Sequence, residues 1–167
     1  MVRPFFVFGQ MISHLVSMEI RTATTSDLEL LVPVFEAYRA FYRQPAREAD
    51  ARNYLSDRLT HNESIILLAI DESNVIGFTQ LFPTYSSSTL ERFYILNDLF
   101  VDPQYRSKGI GAILLNAAKK LVIEKGYKGL SLETENNNPA QHLYEKEGWT
   151  KDLDFLHYFW ANNQKPT

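Results

Sequence analysis

Val101-Asp102-Pro103-Gln104-Tyr105-Arg106-Ser107-Lys108-Gly109-Ile110-Gly111 joins an alternating apolar stretch to the strongest helical pattern in the chain. Asp102-Pro103 stops a strand, because proline brings no N–H to a ladder. Gly109 and Gly111 open a helix whose first backbone N–H groups have no partner inside it, and Arg106 and Lys108 add positive charge there. Glycine lets a ligand approach the backbone closely, so the turn reads as a cradle for a pyrophosphate. Taken alone, the pattern is equally satisfied by a plain strand-to-helix turn carrying a solvated basic pair.

The elements on either side follow from period. Arg92 to Val101 reads as the strand entering the turn. From Gly109 to about Lys125, Ile110, Ile113, Leu114, Ala117, Ala118, Leu121 and Val122 form a broad helical stripe, ended by Gly126. Leu130 and Leu132 mark another strand, Pro139 to Glu147 a short helix, and Phe155 to Trp160 a closing aromatic strand. Upstream, Glu19 to Thr24 alternates as a strand. Ser26 and Glu29 read as a capping box opening a helix with Leu28, Leu31, Val34, Phe35, Tyr38, Phe41 and Tyr42 on one stripe, which Pro33 should kink or delay. A weaker helix spans Ala46 to Thr60. Strands Ser64 to Ile70 and Val75 to Tyr85 meet at the turn Asp71-Glu72-Ser73-Asn74. The order β-α-α-β-β-β-α-β-α-β predicts an α/β fold, a mixed and largely antiparallel sheet flanked by helices.

The chain has 167 residues, 45% of them hydrophobic, which suits a single domain over 18–162 with a short tail at 163–167. Residues 1–17 carry the aromatic run Phe5-Phe6-Val7-Phe8, too short and interrupted to span a membrane. They are expected to be a loosely ordered extension, or to precede a start at Met18, ahead of a signal peptide. A net charge of -3 gives no basic excess for a phosphate backbone, so neither nucleic acid nor membrane is an expected partner. The absence of cysteine removes disulfides, thiolate metal sites and a thiol nucleophile, and fits a cytoplasmic setting. His14, His61, His142 and His157 have no metal-ligand spacing, so no metal is expected.

The glycine turn is not a P-loop, since no Lys-Ser/Thr follows its second glycine, nor a dinucleotide fingerprint, since the spacing is reversed. Asn97-Asp98-Leu99-Phe100-Val101-Asp102-Pro103 followed by Arg106-Ser107-Lys108-Gly109-Ile110-Gly111 resembles the acetyl-CoA motif of the GCN5-related N-acetyltransferases (GNAT). Asn137-Asn138-Pro139-Ala140 through Tyr144 to Gly148-Trp149 resembles that family's second motif, N-x-x-A-x-x-x-Y with a trailing Gly-aromatic pair. The resemblance runs from about Ile20 to Trp160, and the Ile95-Leu96-Asn97-Asp98-Leu99-Phe100-Val101 strand is most similar to the polyamine, histone and diamine branch.

This resemblance implies direct transfer of an acetyl group from acetyl-CoA to a primary amine (a small amine, a polyamine, a protein lysine or an N-terminus) in a ternary complex. The absence of a cysteine and of a G-x-S-x-G elbow agrees. It further implies that Leu99, Phe100 and Val101 pair with the pantetheine arm. Arg106, Ser107, Lys108, Gly109, Ile110 and Gly111 would hold the pyrophosphate, with Asn137, Ala140 and Tyr144 on the opposite side. Tyr144 would donate a proton to the departing thiolate, although a tyrosine one turn after Ala140 can also simply pack. Asn97 stands where the diamine branch often has a glutamate, which leaves Asp98 and Glu133 as candidate bases; either can equally be a structural carboxylate. Phe82, Tyr85, Phe93 and Tyr94 could cover the acceptor side. A homodimer is expected from similar proteins. A coenzyme A-binding module that has lost catalysis is the alternative reading.

Overall fold

The computed structural model describes residues 18–162. A five-stranded sheet in the order β1-β2-β3-β4-β5 is formed by β1 (Met18–Thr22), β2 (Ile65–Asp71), β3 (Asn74–Ser86), β4 (Glu91–Val101) and β5 (Leu130–Ser131). β1 to β4 are antiparallel, and β5 lies parallel to β4. Helices α1 (Leu28–Phe41) and α2 (Glu48–Thr60) precede β2, α3 (Ile110–Lys125) follows β4, and α4 (Ala140–Lys146) follows β5.

β2 shows why the sheet is covered on both faces. Ile66, Leu68 and Ile70 point to Leu31, Val32, Phe35 and Leu55 of α1 and α2, whereas Leu67 and Ala69 point to Leu114, Leu115 and Ala118 of α3. A strand buried on both sides is a continuous apolar run rather than an alternating one. Gly77 is required by approach: a Cβ there would lie 2.7 Å from the Phe100 carbonyl oxygen on β4.

Two irregularities position chemistry. Gln80 pairs with Asp98 and Leu81 with Leu96, so Asn97 is the extra residue of a β-bulge and its side chain is re-aimed. β4 and β5 share only the rungs Tyr94–Leu130 and Ile95–Ser131, after which they part.

Several expectations shift. The capping box is formed by Thr24 and Asp27, whose Oδ2 accepts the Thr24 N–H at 2.8 Å, rather than by Ser26 and Glu29. Arg21 on β1 grips both oxygens of Asp27 (2.8 and 2.6 Å), which brings the helix entry forward as a 3-10 turn over Thr25–Asp27. Pro33 lies inside α1 and does not delay its start. α2 begins at Glu48 rather than Ala46: Arg47 is its N-cap, with non-helical backbone angles, and donates its N–H to Glu36 Oε2 (2.8 Å). The sheet part of the Leu130–Leu132 stretch ends at Ser131.

The closing strand is the largest correction. Phe155 to Trp160 is in no strand, and its large side chains are about four-fifths exposed. A two-residue β5 offers little ladder, and Trp149–Lys151, which could flank a sixth strand, stands across a cavity of about 400 Å³ from Ser131–Thr134. The expected extension at 1–17 and tail at 163–167 lie outside the described residues.

Candidate functional site

Where β4 parts from β5, a cavity of about 400 Å³ opens between Leu99–Val101 on one side and Leu132–Thr134 on the other. The turn after β4 forms one end. Asp102 Oδ1 accepts the Gln104 N–H (2.9 Å), Pro103–Tyr105 makes a 3-10 turn, and Ser107 and Gly109 take positive φ (61° and 82°) before α3 begins. Such left-handed residues turn the chain so tightly that the unpartnered N–H groups of the helix start come to the cavity, which Gly109, Ile110, Gly111 and Ala112 line.

Arg106 and Ser107 also line it, whereas Lys108 does not. Arg106 donates from Nε to the Val101 carbonyl (3.0 Å), and its guanidinium lies over the rings of Phe41 (5.3 Å) and Phe100 (5.7 Å). The Lys108 ammonium sits 5.0 Å from the Tyr105 ring centroid.

The second motif supplies the facing wall, with one change of residue. Asn137 is exposed and does not line this cavity; Asn138 does. Its Nδ2 donates to Thr134 Oγ1 (2.9 Å) and its Oδ1 accepts the Ala140 N–H (3.0 Å), fixing the start of α4 against the strand extension. An asparagine before proline at a helix start is a capping signal, and it could have singled out Asn138 over its neighbour. Ala140 and Tyr144 complete this wall. Burial, and the nearby Tyr42, raise the Tyr144 pKa, so its phenol stays protonated.

The two candidate carboxylates are separated. Asp98 is 5% exposed and does not line the cavity; its Oδ1 accepts the Tyr38 hydroxyl at 2.5 Å, and both its oxygens accept the Asn97 amide (3.1 Å each). Burial raises the Asp98 pKa and the two hydrogen bonds oppose the rise; burial and this carboxylate push the Tyr38 phenol far above its ordinary value. Asn97 itself faces the cavity, as does Glu133, which is exposed and 2.9 Å from His157 Nδ1. Phe82, Tyr85, Phe93 and Tyr94 are not at the site. They lie toward the far end of the β3–β4 hairpin, where Arg92 bonds Tyr85 and Tyr127 and Tyr94 packs on Tyr127. Phe41 and Tyr42, at the end of α1, take the place expected for them. Among the described residues, no group of three or more His, Asp or Glu side chains is placed to hold a metal.

Three comparisons bear on this geometry. Residues 31–149 match the Acetyltransferase (GNAT) family. The chain is 49% identical over 142 residues to the N-acetyltransferase YhfO of Bacillus subtilis, covering 84% of this chain and 95% of that one. The crystal structure of a probable acetyltransferase superposes with a TM-score of 0.83 at 34% identity, covering 88% of this chain and 99% of that one. The fold is shared with an aminoglycoside N-acetyltransferase solved in complex with CoA (TM-score 0.72, 18% identity, covering 87% and 95% of the two chains). The chain belongs to the acetyltransferase (GNAT) family and is an N-acetyltransferase.

Proposed function

We propose that the cavity between β4 and Leu132–Thr134 holds acetyl-CoA, and that its acetyl group passes directly to the primary amine of a cationic acceptor bound beside it. The observation carrying this reading is the continuity of the cavity from the helix start at Gly109–Gly111 to Tyr144. Anions fit the first end, because unpaired N–H groups, the helix dipole and the Arg106 charge act together. The middle offers the β4 backbone, which beyond Ile95 has β3 on one side and, among the described residues, no strand on the other, as a partner for the amides of a pantetheine arm. The acetyl-CoA thioester supplies the activated carbonyl.

The chain's own groups orient the amine and handle its proton. Asn97 spends its Nδ2 on Asp98, which leaves Oδ1 to accept an N–H from the amine. Asp98 thereby acts through Asn97 as a positioning residue. An alkylamine near pKa ~10.4 is almost wholly protonated at neutral pH, so a proton must leave before attack. Glu133, the candidate carboxylate that lines the cavity, receives it in this reading. Tyr144 steadies the departing sulfur by a hydrogen bond and returns a proton to it.

The acceptor class follows from charge and shape. Glu133, the Tyr42 hydroxyl and nearby Glu135 make that end electronegative, and Phe41 and Tyr42 offer ring faces to an ammonium group. This favours polyamines, diamino acids and aminoglycosides over neutral amines. We further read the enzyme as cytoplasmic and homodimeric; no helix among the described residues is long and apolar enough to cross a membrane.

Acetyl-CoA should raise the melting temperature, since a ligand at 100 times its dissociation constant adds about 2.7 kcal/mol. Thiol release measured across polyamines, lysine analogues, aminoglycosides and histone peptides then ranks acceptors. No melting shift at millimolar acetyl-CoA rejects the cavity assignment, and turnover confined to neutral amines rejects the cationic acceptor.

A further inference from the structure

Arg106 lies folded back over the groove between β4 and the end of α1. Its Nε donates to the Val101 carbonyl (3.0 Å), and its guanidinium is 5.3 Å from the Phe41 ring centroid and 5.7 Å from that of Phe100. All four residues line the reaction cavity. The 3-10 turn over Pro103–Tyr105 allows this return, since it brings residue 106 back beside the strand that the chain has just left.

Both contacts fall on groups that the reading above gives to the substrates. In an antiparallel ladder, alternate residues turn their N–H and C=O toward the partner strand. Asp102 gives its N–H to the Ile76 carbonyl on β3 (3.0 Å), so Val101 turns its own groups the other way, toward the cavity. Its carbonyl is one of the main-chain acceptors assigned to the pantetheine arm, and the Phe41 ring is one of the faces assigned to the acceptor's ammonium. The guanidinium on that face shows that the ring takes a cation, and that in the free enzyme it already has one.

The strength of these contacts decides when they break. Arg106 is exposed and has no carboxylate partner among the described residues, and a cation–π contact at an exposed site is weak. A phosphate offers the same guanidinium a charge-assisted and often bidentate pair. The stronger partner takes the side chain.

We propose that Arg106 is a strap across the reaction cavity, closed in the free enzyme and opened by the donor. In the free enzyme it bridges Val101 and Phe41. The pyrophosphate of acetyl-CoA draws the guanidinium to itself, which clears the Val101 carbonyl for the arm and the Phe41 ring for the amine. Each substrate thereby favours the other, because the chain's own cation holds the acceptor's place until the donor removes it. By linkage the gain is the same in both directions. The inference rests on the placement of donor and acceptor proposed above and adds a coupling between them.

Calorimetric titration with coenzyme A alone tests the strap without turnover. A contact made only in the free enzyme opposes binding, so its loss must tighten binding. Phe41 is 53% exposed, so Phe41→Leu leaves the core intact, and it should bind coenzyme A about two- to fivefold more tightly, the scale of one exposed cation–π contact. In an Arg106→Ala background the same replacement should change nothing. Equal or weaker binding by Phe41→Leu, or a gain that persists without Arg106, overturns the strap, because Phe41 then acts on the donor by itself. No binding of coenzyme A to the wild type rejects the cavity assignment instead. The coupling is read with the amine that gives the fastest thiol release. That amine should bind the wild type about two- to fivefold more tightly when coenzyme A is present, and Arg106→Ala equally with and without it. Equal binding to the wild type in both conditions overturns the coupling.

Discussion

Tyr38 on α1 donates its hydroxyl to Asp98 on β4 across 2.5 Å, joining a helix to the strand that walls the reaction cavity. The bond stands behind Asn97, so it bears on both stability and acceptor orientation. Tyr38→Phe keeps the ring contacts with Phe35 and Phe78 and removes the donor. Leaving a buried carboxylate short of one partner should cost about 1–3 kcal/mol. The bond holds the Asp98 pKa down against burial, so its loss raises that pKa further. A folded-state pKa above the unfolded value contributes stability at low pH that is lost as pH rises through the folded value. Urea denaturation should therefore show a larger deficit at pH 8 than at pH 5, and an equal deficit at both would show that Asp98 is not the group affected.

Arg106→Ala should weaken acetyl-CoA binding 10- to 100-fold, the scale of a charge-assisted hydrogen bond of about 1.5–3 kcal/mol. At saturating acetyl-CoA the bound reaction should change less than threefold. Calorimetric titration measures the first and steady-state kinetics the second. Unchanged affinity would remove Arg106 from the anion end.

Tyr144→Phe should do the reverse, lowering kcat by about 100-fold with the dissociation constant of acetyl-CoA within twofold. The Tyr144 pKa is raised, chiefly by burial, so the wild-type phenol stays protonated at neutral and mildly alkaline pH and no loss of activity from its ionisation is expected there. A variant with wild-type kcat would leave Tyr144 a packing residue, in contact with Trp149 at 6.2 Å between ring centroids.

Asp27 should set part of the acid sensitivity of folding. Arg21, the Thr24 N–H and the Thr24 hydroxyl all favour its charged form and hold its pKa well below the ordinary range. A depressed folded pKa gives stability that is present above the unfolded value of about 3.9 and lost as pH falls below it. Asp27→Asn should destabilise at pH 7 by about 1–3 kcal/mol, since it breaks an ion pair whose carboxylate is buried but whose guanidinium is partly screened by solvent, and the gap should narrow toward pH 3. Thermal melts at both pH values check the trend; a constant gap would mean that capping rather than charge carries the effect.

The sequence makes this fold legible wherever one element's period is decided by its own burial. The Ile110–Val122 stripe and the continuous run of β2 are such cases, because each pattern is set by a face packed on the core. Legibility fails where a residue depends on something distant. Arg21 moves the cap from Ser26 and Glu29 to Thr24 and Asp27, and Glu36 on α1 holds the N–H of Arg47, the N-cap of α2. The bulge at Asn97 turns Asp98 away from the cavity toward Tyr38, a consequence of register that spacing along one strand does not contain. The aromatic stretch Phe155–Trp160 has the composition of a strand, but composition does not supply the neighbour.

The parting of β4 from β5 after Ile95 and Ser131 also bears on how such an enzyme changes over generations. In the proposed complex, main-chain groups of Leu99–Val101 recognise the donor's arm, and main-chain groups survive nearly any side-chain replacement. The acceptor, by contrast, is read in that proposal by side chains at Phe41, Tyr42, Asn97 and Glu133. Donor choice is thereby protected from mutation while acceptor choice is open to it, so a few substitutions at those four positions should redirect the enzyme to a new amine without losing its hold on coenzyme A.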